Sequence, residues 1–279
     1  MTSETILRTK LVYVLTSNGR DEVSAMLIMS LYSLRLYYKE DIVVIVMDRD
    51  TFNSLNDAHS VILEMAKAKV VDIPEEYNTM QRSRYLKTNL RRIIKGDFLY
   101  VDSDTVICGP LQGLDNLPYD LGMIADQNNS VPQRDPGQLE LNMQAGFDAT
   151  GQPYYNGGVI LVRDTTISHR FFELWFELWL QSVKRGVSKD QPALCEANKR
   201  LGHPIQELDG IWNFQLLNHY LHYLPQARIV HYWNIYEWKK IYVARTGKKQ
   251  HVDVFTALWL HFPRISAFLL YLKRLIRRP

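Results

Sequence analysis

Apolar runs alternate with amphipathic stretches through the first hundred positions of this chain. Residues 11–15 are unbroken apolar and predict a strand. Residues 21–36 follow as a helix, with Val23, Met26, Leu27, Leu31 and Leu34 at helical spacing. The run from Ile42 to Met47 predicts a second strand, and a helix over 52–66 leads to a short third one at 70–73. A helix over 83–94 then delivers the chain to Phe98-Leu99-Tyr100-Val101. Strands alternating with helices imply parallel βαβ units in a doubly wound α/β sheet. Strands this continuously apolar fit a sheet covered on both faces.

Past residue 104 the pattern is mixed. Residues 121–125 and 158–162 predict strands, whereas 127–152 is polar, carries Pro132, Pro136, Gly137, Gly146 and Gly151, and reads as a long loop. Loops of that length inside a domain usually serve function. Residues 169–184 predict a helix whose Phe171, Phe172, Trp175, Phe176 and Trp179 are core residues, because aromatics at helical spacing bury area. No linker or repeat divides the chain, so residues 1–263 form one catalytic domain and 264–279 a C-terminal extension.

The extension has its own pattern. Ile265, Phe268, Leu269, Leu272, Leu275 and Ile276 form one apolar stripe at helical spacing, and Pro263 starts the segment. Five cations (Arg264, Lys273, Arg274, Arg277 and Arg278) crowd it with no acid, against a net charge of +3 for all 279 residues. The rest of the chain is therefore slightly acidic, which argues against a nucleic-acid-binding face and for a local anionic contact. An apolar stripe with clustered cations suits a helix lying on an anionic membrane surface; a helix docked on the domain with a solvated basic end is the alternative. Cys108 and Cys195 make no disulfide framework or metal spacing, and the polar N-terminus carries no signal peptide, so a cytoplasmic protein, peripheral on the inner face of the membrane, is expected.

The chemistry concentrates at Asp102-Ser103-Asp104. In an extended backbone, residues two apart project to the same side, so both carboxylates can converge on one hard cation at the C-terminal edge of the sheet. That edge is where open α/β sheets bind ligands. No GxGxxG is present, which counts against a dinucleotide oxidoreductase.

Four segments occur together in order: Gly96 to Thr105 around the paired aspartates, Tyr155-Asn156-Gly157-Gly158-Val159, Asp190-Gln191-Pro192-Ala193-Leu194, and Ile229-Val230-His231-Tyr232. The set resembles glycosyltransferase family 8, the glycogenin-like and lipopolysaccharide galactosyl- and glucosyltransferases, with Gly157 where the family has alanine. The resemblance spans residues 10–240. It implies a GT-A fold, a mostly parallel Rossmann-like sheet flanked by helices. It also implies retaining transfer of a hexose from a nucleotide sugar, usually of uridine diphosphate, to a glycan or lipid-linked acceptor in bacterial surface polysaccharide synthesis.

The same resemblance supplies roles. Asp102, Asp104 and His231 would hold Mn²⁺, favoured over Mg²⁺ by the imidazole. Thr16, Ser17 and Asn18, after the first strand, would meet the base or ribose; the family's Ala-x-Asp is absent there. Arg84 and Lys87 would face the donor, and Ser103 belongs to the same donor segment. Asp126, Asn156 and Gly157 would line the sugar pocket, where a carboxylate accepts hydroxyl protons well. Asp190 would orient sugar or acceptor, and the Gln191 amide would stabilise developing positive charge. The family's late Lys-Pro-Trp is missing: Glu237 stands at the lysine position, and Lys239, or Lys240 beside it, would take over the diphosphate after a shift. Two other classes fit some of these residues. The wording Asp-x-Asp-x-Thr/Val, met here by Asp102 to Val106, also suits a haloacid dehalogenase-type phosphohydrolase, although several βα units precede it. A non-catalytic sugar-binding scaffold is the other.

Overall fold

The computed structural model describes residues 7–18, 22–38, 42–55, 60–130, 132, 135–216, 220–232 and 261–276. The strands are β1 (Lys10–Leu15), β2 (Val43–Asp48), β3 (Lys67–Val71), β4 (Phe98–Val101), β5 (Thr105–Ile107), β6 (Leu121–Ala125), β7 (Tyr155–Val162), β8 (Gln206–Glu207), β9 (Phe214–Gln215) and β10 (Ile229–His231). Seven of them form one sheet in the order β3-β2-β1-β4-β7-β6-β8. Pairing is parallel from β3 through β4 and antiparallel on both sides of β7. A small second sheet, β5-β10-β9, stands beside the end of β4.

Period-two alternation divides the core. Leu11, Tyr13 and Leu15 of β1 join Leu99 and Val101 of β4 on one face, against Leu27, Ile28, Leu31 and Leu34 of helix α1 (Val23–Arg35). Val12 and Val14 join Phe98 and Tyr100 on the other, against a long helix at 166–184. That helix buries Phe171, Phe172, Trp175 and Trp179, each contributing about 2 kcal/mol. Its aromatic face is therefore core, as the spacing predicts.

Boundaries shift where capping outweighs periodicity. The helix expected over 52–66 is instead two short ones, α2 (Arg49–Ser54) and α3 (Val61–Met65). Asp48 starts the first early by accepting from the Thr51 N–H at 2.7 Å. The helix before β4 begins at Thr79, four residues sooner than expected, under a reciprocal Asn78–Gln81 cap; it is α4 (Thr79–Thr88), followed by α5 (Leu90–Ile93). The polar segment 127–152 is not a loop throughout: it holds α6 (Pro136–Ala145), capped by Asp135 and ended by the left-handed Gly146. The long aromatic helix is α7 (Thr166–Lys184), and α8 (Gln191–Arg200) follows it.

The C-terminal helix Pro263–Ile276 docks through the face opposite to its apolar stripe. Ala267 is fully buried, and Leu270 and Tyr271 pack with it on the cluster around Cys108, Phe214 and Val230. Arg264 anchors this contact by donating from Nη2 to the Cys108 and Ala227 carbonyls at 3.1 and 3.0 Å. Ile265, Phe268, Leu269 and Leu272 point outward, between 37% and 58% exposed. The side chains of Arg274, Leu275 and Ile276, and residues Arg277 and Arg278, lie outside the described set.

Candidate active site

Tyr100 and Asp102 lie on the same side of the β4 line, and β4 stops at Val101. Asp102 and Asp104 therefore converge through the tight turn into β5 rather than along an extended strand. The turn is fixed at each end. The Asp102 N–H donates to the Gly158 carbonyl at 2.8 Å, and the Thr105 hydroxyl donates to the Asp102 carbonyl at 2.8 Å. β10 brings in His231, which pairs with Thr105 in register. Its Nε2 lies 3.1 Å from Asp104 Oδ1, and the Tyr232 N–H donates to the Asp104 carbonyl at 3.1 Å. Asp102, Asp104 and His231 each offer one ligand atom, and the three atoms lie within 4.8 Å of one another. Two carboxylates and an imidazole suit a divalent cation of the Mn²⁺ or Mg²⁺ type. Burial works against charge on His231, but the Asp104 carboxylate overrides it and raises the imidazole above its usual value.

A line of alternating charge runs from this cluster into the sheet's end. The buried Lys87 ammonium stands 3.5 Å from Asp102 Oδ1 and 3.5 Å from Asp190 Oδ2, and Arg84 Nε stands 3.0 Å from Asp190 Oδ1. Burial alone would raise the Asp190 carboxyl; Lys87 and Arg84 outweigh it and hold that group below the usual range. Tyr100 donates its hydroxyl to Asp102 Oδ1, and its ring lies 4.9 Å from Lys87 Nζ. Burial holds this phenol well above its usual value, so it remains the donor.

The sugar-pocket candidates meet next to this line. Asn156 Nδ2 donates to Asp126 Oδ1 at 3.2 Å, and Gln191 Nε2 donates to the Tyr155 carbonyl at 3.0 Å. Asp126 is pushed above the usual carboxylate range by burial, despite the hydrogen bonds from Asn156 and Gln191. Strand β7 bulges here: its pairing with β6 jumps from Ile160 to Asn156 across one step from Met123 to Ile124. Gly157 and Gly158 lie in that bulge, a device that re-aims backbone beside active sites.

Other candidates are placed differently. Thr16 and Ser17 follow β1, buried, with the Thr16 hydroxyl donating to the Thr79 carbonyl at 3.3 Å and the Ser17 N–H donating to Thr51 Oγ1 at 2.9 Å. The Ser24 hydroxyl donates to Ser17 Oγ at 3.0 Å, so Ser17 is built into the turn rather than presented. Asn18 is exposed beside them. Ser103 is buried, its hydroxyl 3.4 Å from the Val14 carbonyl. Glu237 and Lys239 lie outside the described residues. Sequence reasoning missed Tyr100, although its position two residues before Asp102 on one strand face was the available signal. It also missed Asn213, whose Nδ2 donates to Asn156 Oδ1 at 3.0 Å from a segment with no motif.

This constellation, at the C-terminal end of a mostly parallel sheet, defines a GT-A glycosyltransferase similar to family 8. The chain belongs to the nucleotide-diphospho-sugar transferase family, whose model matches residues 39–254. That membership retires the phosphohydrolase and scaffold alternatives. No curated protein sequence matches the chain. Among solved structures, the LgtC galactosyltransferase in complex with donor and acceptor sugar analogues is similar at 16% identity and a TM-score of 0.58, covering 88% of this chain and 98% of that one. Mouse xyloside xylosyltransferase 1 gives 16% identity and a TM-score of 0.51 over 80% of this chain and 97% of that one. GlyE of Streptococcus pneumoniae gives 15% and 0.52, over 91% and 63%.

Proposed function

We propose that this glycosyltransferase is metal-dependent and retaining, and moves a hexose from a uridine diphosphate sugar to a glycan or lipid-linked acceptor of a bacterial surface polysaccharide. The observation that carries the reading is the convergence of Asp102, Asp104 and His231 beside the Lys87–Asp190 line. Breaking the anomeric C–O bond leaves added negative charge on a diphosphate. A bound divalent cation neutralises that charge.

The chain's own residues do the rest. Lys87 already balances Asp102 and Asp190 and supplies positive charge at the same edge. Asp126, fixed by Asn156, accepts donor-sugar hydroxyl protons. Asp190, kept ionised by Lys87 and Arg84, orients the sugar or the incoming hydroxyl, and Gln191 brings its amide dipole near the anomeric carbon. Lys239 is assigned to the diphosphate from the resemblance alone. Thr16, Ser17 and Asn18 form the end of β1 toward which the base is assigned, with Asn18 the exposed member.

The exposed stripe of the C-terminal helix supports attachment to an anionic membrane surface, where a lipid-linked acceptor is found. One face of this helix is docked, so the outward Ile265, Phe268, Leu269 and Leu272 remain for lipid, next to Lys273. No described helix is long and apolar enough to cross a membrane. The functional reading is tested by nucleoside diphosphate release from UDP-glucose and UDP-galactose with Mn²⁺. Release should vanish with chelator and fall at least ~100-fold in Asp102→Asn and Asp104→Asn, whose charged ligands act in the transition state. Unchanged release by both variants refutes it.

A further inference from the structure

The turn that presents Asp126 is strained, and the buried Gln215 side chain bonds the backbone on both sides of that carboxylate. Gln127 adopts φ 54° and ψ 25°, and Asn128 follows at φ 53°. Two consecutive non-glycine residues in the left-handed region are costly and persist only when their surroundings over-determine them. Here the surroundings are β9. Gln215, fully buried, accepts from the Gln127 N–H on Oε1 at 2.7 Å and donates from Nε2 to the Ala125 carbonyl at 2.9 Å. Its amide thus brackets Asp126, bonding the peptide groups of the residues before and after it.

The clamp continues outward. The Gln215 N–H donates to Asn128 Oδ1 at 2.8 Å, and Asn128 Nδ2 donates to the Asn213 carbonyl at 2.9 Å. Asn213 Nδ2 in turn donates to Asn156 Oδ1, leaving Asn156 Nδ2 turned toward Asp126. On its other side Gln215 pairs with His231 in parallel register. One two-residue strand therefore touches the metal-ligand strand and the strained turn together.

We infer that Gln215 is a positioning residue, which holds the left-handed turn at 127–128 and so sets the distance between the donor sugar on Asp126 and the diphosphate end on the His231 strand. The inference rests on the glycosyltransferase reading above. A side chain that merely fills space has no need of two amide bonds to backbone on either side of one carboxylate. Relaxing the turn moves Asp126 and leaves the nucleotide end untouched, so the loss falls on the sugar alone.

The test compares, by calorimetry with Mn²⁺ present, the affinity for uridine diphosphate with that for whichever of UDP-glucose and UDP-galactose binds tighter. Gln215→Met keeps the volume and removes both amide bonds. It should cut sugar-nucleotide affinity about tenfold while uridine diphosphate affinity stays within about twofold. Adding Gln127→Gly, which removes the left-handed cost at an exposed side chain, should restore part of that loss. Equal loss for both ligands, no loss for either, or no rescue by glycine overturns the inference while leaving the glycosyltransferase reading standing. Failure of the wild-type chain to bind uridine diphosphate at all overturns both.

Discussion

A methyl group added at Gly158 is the sharpest probe of the metal site. Neither Gly157 nor Gly158 has positive φ, so the two differ only in the space around them. A Cβ at Gly158 would stand 2.5 Å from His231 Cε1, 2.7 Å from its Nδ1 and 2.8 Å from Asn156 Oδ1. Ordinary carbon contacts begin near ~3.5 Å, so the imidazole must retreat by about 1 Å. Backbone cannot take up the strain cheaply, because the Gly158 carbonyl accepts from the Asp102 N–H and the Gly158 N–H donates to Asn156. Metal–ligand distances tolerate only about 0.2 Å, so the displacement removes one of three protein ligands. At Gly157 the new Cβ would meet only the Lys87 amine end at 3.1 and 3.5 Å, and the Leu194 methyl at 3.8 Å. That amine is held by Asp102 and Asp190, but it needs to give by only a few tenths of an ångström, less than half of what the imidazole must.

Gly158→Ala should therefore weaken Mn²⁺ binding at least ~10-fold, measured by calorimetric titration in the presence of uridine diphosphate. Overpacking should cost about 1–3 kcal/mol, read as a lowered Tm. Gly157→Ala should leave Mn²⁺ affinity within about twofold and Tm nearly unchanged. Equal Mn²⁺ affinity in the two variants refutes His231 as a ligand held by this bulge. Comparable Tm loss in both would show that the space around Gly157 is tighter than described.

Three other outcomes are expected. Lys87→Met leaves Asp102 and Asp190 facing each other without their buried cation, so stability at pH 7.5 should fall by about 3 kcal/mol. The depressed Asp190 carboxyl makes its wild-type contribution above its unfolded pKa and loses it as pH falls through the lower folded value; the gap between variant and wild type should therefore shrink in acid, as a pH series of denaturant melts will show. Asp126 is shifted upward, so its burial favours the folded state below the usual carboxyl pKa and loses that advantage as pH rises through the raised value. Asp126→Asn should then raise Tm at pH 7.5 while lowering donor turnover, and a stabilised variant of full activity would deny the carboxylate its role. Joint replacement of Ile265, Phe268 and Leu269 by Ser should abolish flotation with anionic liposomes and spare turnover of a soluble acceptor; retained flotation removes the membrane reading. Removing 264–279 outright is a poorer test, because Arg264 and Ala267 belong to the packed core.

What could be read in advance follows the range of the physical cause. Strands β1, β2 and β4 of the parallel half were legible because each is apolar on both faces, a condition written into consecutive residues from Val43 to Met47 and from Phe98 to Val101, whereas the edge strand β3, whose first three residues are exposed, starts three residues before the position its apolar residues suggest. The charged end of β4 was legible too, since Lys87, Asp102 and Asp104 lie within a single βα unit. Boundaries set by one hydrogen bond were not: Asp48 starts a helix and Asn78 caps another at positions where periodicity has nothing to say. Least legible were features that depend on a distant partner. Phe214-Gln215 is too short to have a pattern, and it becomes a strand only because β10 arrives beside it.

In the C-terminal helix, the apolar stripe that periodicity picks out is not the face that docks on the domain. Its large apolar residues do form a stripe, but a helix packs closely where its partner leaves room. Here the surface around Cys108, Phe214 and Val230 buries Ala267 fully and Leu270 and Tyr271 in part. Small residues allow close approach, and Arg264 locks that approach to two carbonyls that would otherwise lack this partner. A helix docked through Ala267, Leu270 and Tyr271, with Ile265, Phe268, Leu269 and Leu272 exposed beside a cation, has a second face free for a lipid surface.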